Sequence, residues 1–320
     1  MNRTFHSHFK EYIDGLIEQK HALGYPYMES KRILYNFDQF CIHHFPEEIT
    51  FTKEIGLTWA QIRPNEKNNG FRNRLMPVRE LARYMNRMEV VAYVIPIDLA
   101  KKGPRYVPHI FTRDELAAFF AVLDQIPYKR SFPIRHLVIP VIFRVIYCCG
   151  LRPSEARKLK VKDIDLETGK LTILESKGHK DRIVMLSDEV LELCKTYYEN
   201  MRNHLPETEY FFPNSNGNLY MKWWMEKTFR QCWAKTGIRN VSGNSPRTYD
   251  FRHTFATNRL YQWLKEGKDL TACLPYLSAY LGHVQLSDTA YYIHLVPEFF
   301  PQMAEMDFGK FSCLIPEVER

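Results

Sequence analysis

The chain has 320 residues, of which 45% are hydrophobic and 25% are charged. These proportions are ordinary for a globular protein, and the length is sufficient for two domains with separate cores. The net charge of +7 favours a polyanionic partner. Seven cysteines, an odd number without a CxxC pair, argue against a disulfide framework and a zinc site and indicate a reducing compartment.

The first residues lack the apolar core of a signal peptide, and the longest apolar run, 137–149, is short and contains Pro140 and Arg144. We therefore expect a cytoplasmic protein that is not bound to a membrane.

The N-terminal part of the chain is predicted to form a small helical bundle. Apolar residues recur at helical spacing over 4–23, and a Gly-Tyr-Pro turn ends that run. The same periodicity predicts further helices over 28–44, 55–63 and 74–88.

Arginines form a stripe along the fourth of these helices. Arg79, Arg83 and Arg87 follow one another at four-residue steps, and Arg72 and Arg74 precede them. The simpler interpretation is a solvated helix face. Because the stripe belongs to a larger basic patch, we favour a surface that binds DNA.

A basic, proline-containing segment follows the bundle. Residues 89–110 include three prolines and the cations Lys101, Lys102 and Arg105. Such a composition predicts an extended linker that lies across the DNA backbone. We place the boundary near 103, so that the two domains span 1–103 and 104–320.

The second domain is predicted to be mostly helical. Thr112 and Glu115 have the spacing of a capping box at the start of its first helix. A helix over 134–148 ends at Gly150, and Arg152 lies in the break before the next helix.

A small antiparallel sheet of about three strands is predicted next. Two turns, Thr168-Gly169 and Lys177-Gly178-His179, separate short runs rich in Ile, Leu and Val. Helical periodicity then returns over 188–203, 220–236, 246–266 and 270–281, and a last short helix carries Tyr292 and could be capped by Ser287. The helically spaced aromatic residues of this region are expected in the core: Trp223, Trp224, Phe229 and Trp233.

Five side chains of the second domain have the chemistry of a phosphate site with a nucleophile: Arg152, Lys177, Arg252, His283 and Tyr292. Guanidinium groups stabilise the charge that develops on an attacked phosphodiester, and a tyrosine oxygen can attack phosphorus. A lysine can protonate the departing 5′ oxygen, and a histidine can bind the phosphate or handle the tyrosyl proton. No carboxylate cluster accompanies these residues, so we expect neither a metal nor another cofactor.

Four sequence blocks resemble the tyrosine recombinase (phage integrase) family, in the family's order. They read CCGLRPSEARKLKVKDIDL, ESKGHKDRIVMLS, YDFRHTFAT and LGHVQLSDTAYYIH. The resemblance implies that Arg152 and Arg252 bind the phosphate, that Lys177 is the general acid, and that Tyr292 is the nucleophile. His283, nine residues before Tyr292, is similar to the family's later histidine.

Two rival residues remain at these positions. Lys180 competes with Lys177 as the general acid. Tyr291 competes with Tyr292 as the nucleophile, although it is rotated by about 100° on a helix and lies one position outside the family register.

One position departs from the family pattern. Tyr249 stands where the family usually has a histidine, three residues before Arg252. Because both side chains share a helix face, we predict that Tyr249 donates the missing hydrogen bond to the phosphate; the alternative is a tyrosine that only packs.

His253 is rotated by about 100° from Arg252, so a structural role is favoured. Glu155 either braces the site or is an ordinary acidic residue of a first helical turn.

The resemblance implies a mainly α fold, with an N-terminal helical core-binding (SAM-like) bundle and a mostly helical catalytic domain bearing a small antiparallel sheet. It implies a site-specific recombinase or integrase that forms a 3′-phosphotyrosine with double-stranded DNA at specific sites. It further implies a nucleoid-associated homotetramer on paired sites, with accessory recombinases in some systems. The apolar tail at about 297–320 is then expected to dock on a neighbouring subunit, with docking in cis as the alternative. A type IB topoisomerase and a non-catalytic helical DNA-binding regulator remain as alternative functions.

Overall fold

The structure is a computed structural model that describes residues 4–99, 106–174, 181–239 and 245–299, with side chains as far as 293. The chain divides into two compact units, Met1–Tyr106 and Val107–Arg320, close to the predicted boundary at 103. None of the helices in the described ranges is long and apolar enough to cross a membrane.

The first unit is a helical bundle. Its helices are α1 (Lys10–Ala22), α2 (Met28–His44), α3 (Lys53–Trp59) and α4 (Asn68–Arg87). Their apolar stripes meet in one core, in which Phe9, Leu16, Phe37, Val78 and Leu81 are buried. Helix α3 begins two residues earlier than predicted, because the Thr52 side chain accepts the N–H of Ile55 and caps it. Helix α4 begins six residues earlier than predicted, and these residues include Phe71, whose buried side chain the predicted span left out.

The second unit is mostly helical and contains the predicted sheet. Its elements are α5 (Arg113–Asp124), α6 (Arg135–Cys149), α7 (Pro153–Lys158), a 3₁₀ turn (Val161–Asp163), β1 (Ile164–Asp165), β2 (Lys170–Ile173), β3 (Arg182–Met185), α8 (Asp188–His204), α9 (Lys222–Lys235), α10 (Asp250–Lys265), α11 (Leu270–Leu281) and α12 (Ser287–Phe299). The strands pair antiparallel in the order β1-β2-β3, with Leu171 opposite Ile164 on one side and Val184 on the other. The fold class predicted from the sequence is confirmed.

Helix α6 is the centre of the second unit. It packs against α5, α7, α8 and α10, and Val138, Ile142 and Phe143 on it are fully buried. The predicted capping box of α5 is present, with Thr112 and Glu115 each accepting the other's backbone N–H. A second apolar cluster joins α10, α11 and α12. The apolar cluster around α6 and this second cluster together bring the ends of α6, α10 and α11 close to one another.

Three local predictions for this unit need correction. Helix α10 begins at Asp250 and not near Pro246, because the preceding residues form tight i to i+3 turns and the Asp250 carboxylate accepts the N–H of Arg247 at 2.8 Å. Ser287 is the first helical residue of α12, so the predicted cap there is displaced by one position. Trp223 is 57% exposed, with the Lys227 ammonium over its ring, whereas Phe229 and Trp233 are buried as expected.

Candidate active site

Arg152 lies in the short break between α6 and α7. Gly150 ends α6 with a φ of 58°, and a Cβ there would lie 2.6 Å from the Phe255 ring, so both backbone and space require glycine. Arg152 is the residue before α7 and is 9% exposed. Its Nη1 donates to the Glu155 carboxylate at 2.6 Å, and its Nη2 donates to the Gly282 carbonyl at 2.8 Å. The guanidinium therefore joins α7 to the end of α11.

Arg252 is fully buried in the first turn of α10. Its Nη1 donates to the Gly150 carbonyl at 2.8 Å, and its Nη2 donates to the Leu281 carbonyl. Both acceptors lie at helix C-termini, where the backbone presents partial negative charge. Nε has no hydrogen-bond partner among the described residues. Burial lowers the pKa of Arg252, and the charge of Arg152 adds to that shift while Tyr249 opposes it.

Glu155 and Arg182 support the first arginine from behind. Arg182, at the start of β3, donates to both Glu155 oxygens at 3.0 and 2.7 Å and to the Tyr280 carbonyl at 2.7 Å. Burial alone would raise the pKa of Glu155, but hydrogen bonds and charge from Arg182 and Arg152 outweigh it and lower that pKa to about 2. The carboxylate thus stays ionised between two guanidinium groups, which favours its bracing role. Arg182 is not among the site residues predicted from the sequence, where its only signal is its place inside the second motif block.

His283 follows the left-handed Gly282 that ends α11. Its Nδ1 lies 2.7 Å from the Thr289 hydroxyl of α12. Burial, followed by the charges of Arg252, Arg152 and Arg182, lowers the pKa of His283 to about 3. The ring is therefore neutral at physiological pH.

Tyr292 projects from α12 into the same region and is 3% exposed. Its ring stacks 6.2 Å from that of His283, and its hydroxyl lies 3.2 Å from Nδ1 of His253. Burial raises the pKa of Tyr292, while Arg252 and Arg152 oppose that shift. The structure therefore brings Tyr292 to both arginines and to two histidines.

Tyr249 is half-buried just before α10, and its ring centroid is 5.1 Å from that of His253. It interacts electrostatically with both Arg252 and Tyr292. The departure from the family pattern therefore lies beside the candidate nucleophile. Lys177 and its rival Lys180 fall in the segment between β2 and β3 that lies outside the described residues.

Among the described residues, no group of three or more His, Cys, Asp or Glu side chains could hold a metal ion. The grouped side chains are instead two arginines, a neutral histidine and a tyrosine. Residues 109–298 match the model of the phage integrase family. The chain belongs to the phage integrase family. It is thus a DNA strand transferase of the tyrosine recombinase type.

Individual relatives agree with this assignment. The chain is 29% identical over 303 residues to the putative integrase/recombinase y4rB of Sinorhizobium fredii, a match that covers 92% of this chain and 96% of that protein. It is 30% identical over 199 residues to the tyrosine recombinase XerC of Lactobacillus leichmannii, covering 61% of each protein.

Two solved structures share the fold. The XerH site-specific recombinase bound to its palindromic difH substrate has a TM-score of 0.62 at 21% identity, covering 87% of this chain and 78% of that one. The Tn1549 transposon integrase in complex with circular intermediate DNA has a TM-score of 0.62 at 15% identity, covering 88% of this chain and 94% of that one.

In the first unit of the recombinase, the prediction that Arg74 belongs to a DNA-facing surface is wrong. It is 7% exposed and donates to the Glu66 carboxylate at 2.8 and 2.6 Å, to the Gln61 carbonyl at 2.9 Å and to the Trp59 carbonyl. Arg74 is therefore a structural residue that joins the start of α4 to the end of α3.

The other arginines of α4 differ in exposure. Arg83 and Arg87 are exposed, and Arg72 is half-buried. Arg79 is 5% exposed, and no described residue accepts a hydrogen bond from its Nε or Nη1. Burial, followed by the charges of Arg83 and Arg72, lowers the pKa of Arg79, while Asp98 opposes the shift. Lys101, Lys102 and Arg105 lie outside the described residues.

Proposed function

We propose that this chain is a site-specific DNA recombinase or integrase that cuts one strand at a time through a covalent 3′-phosphotyrosine. The observation that carries the proposal is the convergence of Arg152, Arg252, His283 and Tyr292 at the meeting point of α7, α10, α11 and α12. A phosphodiester between the two guanidinium groups would have its developing charge stabilised by fixed cations. The hydroxyl of Tyr292 supplies the nucleophile.

The remaining roles follow from the chemistry of each group. His283, held neutral by burial and then by the cations around it, acts as a hydrogen-bond donor to the phosphate and not as a cation. Tyr249 takes the place of the family's usual histidine. Lys177 protonates the departing 5′ oxygen, because a lysine in a hairpin segment can reach a cleft from its edge.

The partner is double-stranded DNA with specific sites. Support comes from the net charge of +7 and from the DNA-bound states of the XerH and Tn1549 structures. The division at 106 supports an N-terminal DNA-binding domain and a C-terminal catalytic domain. A homotetramer on paired sites, coupled through the tail at about 297–320, completes the proposal; that tail lies largely outside the described residues. Accessory recombinases and association with the nucleoid belong to the same proposal.

Assays on DNA cut from the sequence flanking the gene test this function. Short inverted repeats from that region are placed as two copies on one supercoiled plasmid and incubated with the purified chain in excess EDTA. We expect recombinant circles together with a protein–DNA adduct that resists denaturation. Relaxed plasmid without exchange would favour the type IB topoisomerase, and binding without an adduct would favour the regulator.

Tyr249→Phe is expected to slow strand cleavage about a hundredfold while DNA affinity stays unchanged. The reason is that one well-placed donor to a developing oxyanion contributes on the order of 3 kcal/mol to the transition state. Tyr249→His should retain cleavage, since imidazole can also donate a hydrogen bond. The measurement is the single-turnover cleavage rate on a nicked suicide duplex at saturating protein. If the Phe variant cleaves at the parental rate, Tyr249 only packs.

Arg79→Met is expected to weaken DNA binding and to stabilise the free protein. Two buried guanidinium nitrogens of Arg79, Nε and Nη1, lack acceptors among the described residues, which destabilises the fold. An apolar side chain of similar length should therefore raise the free energy of unfolding by about 1 kcal/mol. If Arg79 binds a DNA phosphate, the slope of log K against log salt falls by about 0.9.

Arg74→Met is the matched control on the same helix. It leaves Glu66 with its ion pair broken and should destabilise the protein by about 3 kcal/mol. Thermal unfolding and salt-dependent binding separate the two variants. Destabilisation of both variants by similar amounts contradicts the expected stabilisation by Arg79→Met, and an unchanged salt slope for that variant contradicts the DNA-binding role of Arg79.

A further inference from the structure

His253 lies one residue beyond Arg252 on α10, on the side of that helix that faces α12. Its Nδ1 is 3.2 Å from the hydroxyl oxygen of Tyr292, and the two ring centroids are 5.5 Å apart. This distance is within the reach of proton transfer between a phenol and an imidazole. The contact joins residues 39 positions apart in the sequence.

The proposed reaction needs an acceptor for the phenolic proton. A phenol is a poor nucleophile until it loses that proton, and the burial of Tyr292 raises its pKa further. Two histidines, His253 and His283, lie beside Tyr292, and an imidazole at either position has the chemistry to accept the phenolic proton.

The surroundings of the two histidines differ. Nδ1 of His283 is already engaged with the Thr289 hydroxyl at 2.7 Å. A proton taken up by His283 would be opposed by burial and by Arg252, Arg152 and Arg182. His283 can donate a hydrogen bond as a neutral ring, but it is a poor proton acceptor.

His253 has a different position. It is half-buried, and the Tyr249 ring packs 5.1 Å from its own, centroid to centroid. In the tautomer that carries its hydrogen on Nε2, His253 presents the Nδ1 lone pair to the Tyr292 hydroxyl, which then donates to it. This geometry is that of a general base beside a nucleophile.

We propose that His253 is the general base for Tyr292 in both strand cleavage and rejoining. As the Tyr292 oxygen bonds to phosphorus, the phenolic proton passes to Nδ1 of His253. The bond from phosphorus to the 5′ oxygen breaks, and that oxygen takes a proton from the general acid. In rejoining, the 5′ hydroxyl returns its proton to the general acid as it attacks phosphorus, the bond from phosphorus to the Tyr292 oxygen breaks, and His253 returns the phenolic proton to that oxygen. This role rests on the proposed function.

The test compares His253→Gln with the parent in single-turnover cleavage of a nicked suicide duplex. We expect the cleavage rate to fall about 100-fold to 10,000-fold at unchanged DNA affinity, because Gln can hold a hydrogen bond but cannot accept a proton. His253→Asn, measured beside it, gives a second variant if the first is poorly folded by circular dichroism.

A second readout separates a base from a residue that only positions the tyrosine. Tyr292 is replaced by 2,3-difluorotyrosine, whose more acidic phenol needs less help to lose its proton. We expect the rate ratio between parent and His253→Gln to shrink at least tenfold with this phenol. The ratio between parent and His283→Gln should stay the same, since His283 acts on the phosphate. Added imidazole should also restore part of the activity of His253→Ala.

The outcomes distinguish this inference from the function on which it rests. Absence of any adduct with the parent chain, or an adduct that persists in Tyr292→Phe, overturns the proposed function itself. A Tyr292-dependent adduct that forms at the parental rate in His253→Gln overturns only the role of His253. The role of His253 as a base is likewise overturned if two results occur together. One is a rate ratio between parent and His253→Gln that is the same with tyrosine and with 2,3-difluorotyrosine, and the other is no effect of imidazole on His253→Ala. His253 would then only pack against Tyr292.

Discussion

Tyr292→Phe should abolish the covalent protein–DNA intermediate while specific DNA binding stays nearly intact. The change removes one oxygen from a ring that is 3% exposed and leaves its packing against His283 in place. Without that oxygen no phosphotyrosine can form, so cleavage should fall by roughly 10⁶-fold, to the background rate. The measurement is adduct formation on a nicked duplex, resolved by denaturing electrophoresis, beside a binding titration of the same duplex.

Tyr291→Phe is the matched control, because it removes the same atom from the adjacent ring, 6.1 Å away. It should form adduct at close to the parental rate. Adduct that persists in the Tyr292 variant and disappears in the Tyr291 variant would transfer the nucleophile to Tyr291.

Glu155→Gln should destabilise the catalytic unit by about 3 kcal/mol and lower its cleavage rate. Glu155 holds both Arg152 and Arg182, and its side chain is 5% exposed. Removing one partner of a buried ion pair leaves the other charges uncompensated, which costs about 3–5 kcal/mol. For a unit of this size the unfolding midpoint should fall by about 10 °C. Thermal unfolding of the parent and the variant at pH 7 measures the difference.

The ion pairs of Glu155 with Arg152 and Arg182 also predict how stability changes with pH. The pKa of Glu155 falls from its ordinary 4.5 to about 2 in the folded chain. Its contribution to stability is therefore fully present above pH 4.5 and is lost as the pH falls toward 2. The stability difference between parent and Glu155→Gln should consequently shrink as the pH is lowered below 4.5.

Glu192→Gln is the control for the stability change expected of Glu155→Gln. Glu192 pairs with Lys195 on the exposed face of α8, and such pairs contribute little. Its effect should stay within about 0.5 kcal/mol. An effect of Glu155→Gln as small as that of Glu192→Gln would contradict the bracing role of Glu155.

The sequence by itself determined the features that depend on neighbouring residues. Gly150 and Pro153 mark a helix end and a helix start with Arg152 between them, and both are where the local rules predict them. The capping box of Thr112 and Glu115 likewise depends only on a three-residue spacing. Periodicity located α2 and α11 to the residue, because a stripe of apolar side chains is a local signal.

The tertiary structure alone decided what distant side chains do to one another. The four-residue spacing of the α4 arginines is a correct statement about helix faces, yet Arg79 is buried and Arg83 is exposed, a difference that the spacing does not contain. Arg74 binds Glu66, which lies before the helix begins, so no periodicity could have separated it from its neighbours.

His253 shows the same limit at the site. The rotation of about 100° from Arg252 was right, but it says only that the two side chains point in different directions. That His253 points at Tyr292 depends on the packing of α12 against α10. Local chemistry therefore located the phosphate residues along the chain, and long-range packing decided that Nδ1 of His253 lies within hydrogen-bond distance of the Tyr292 hydroxyl.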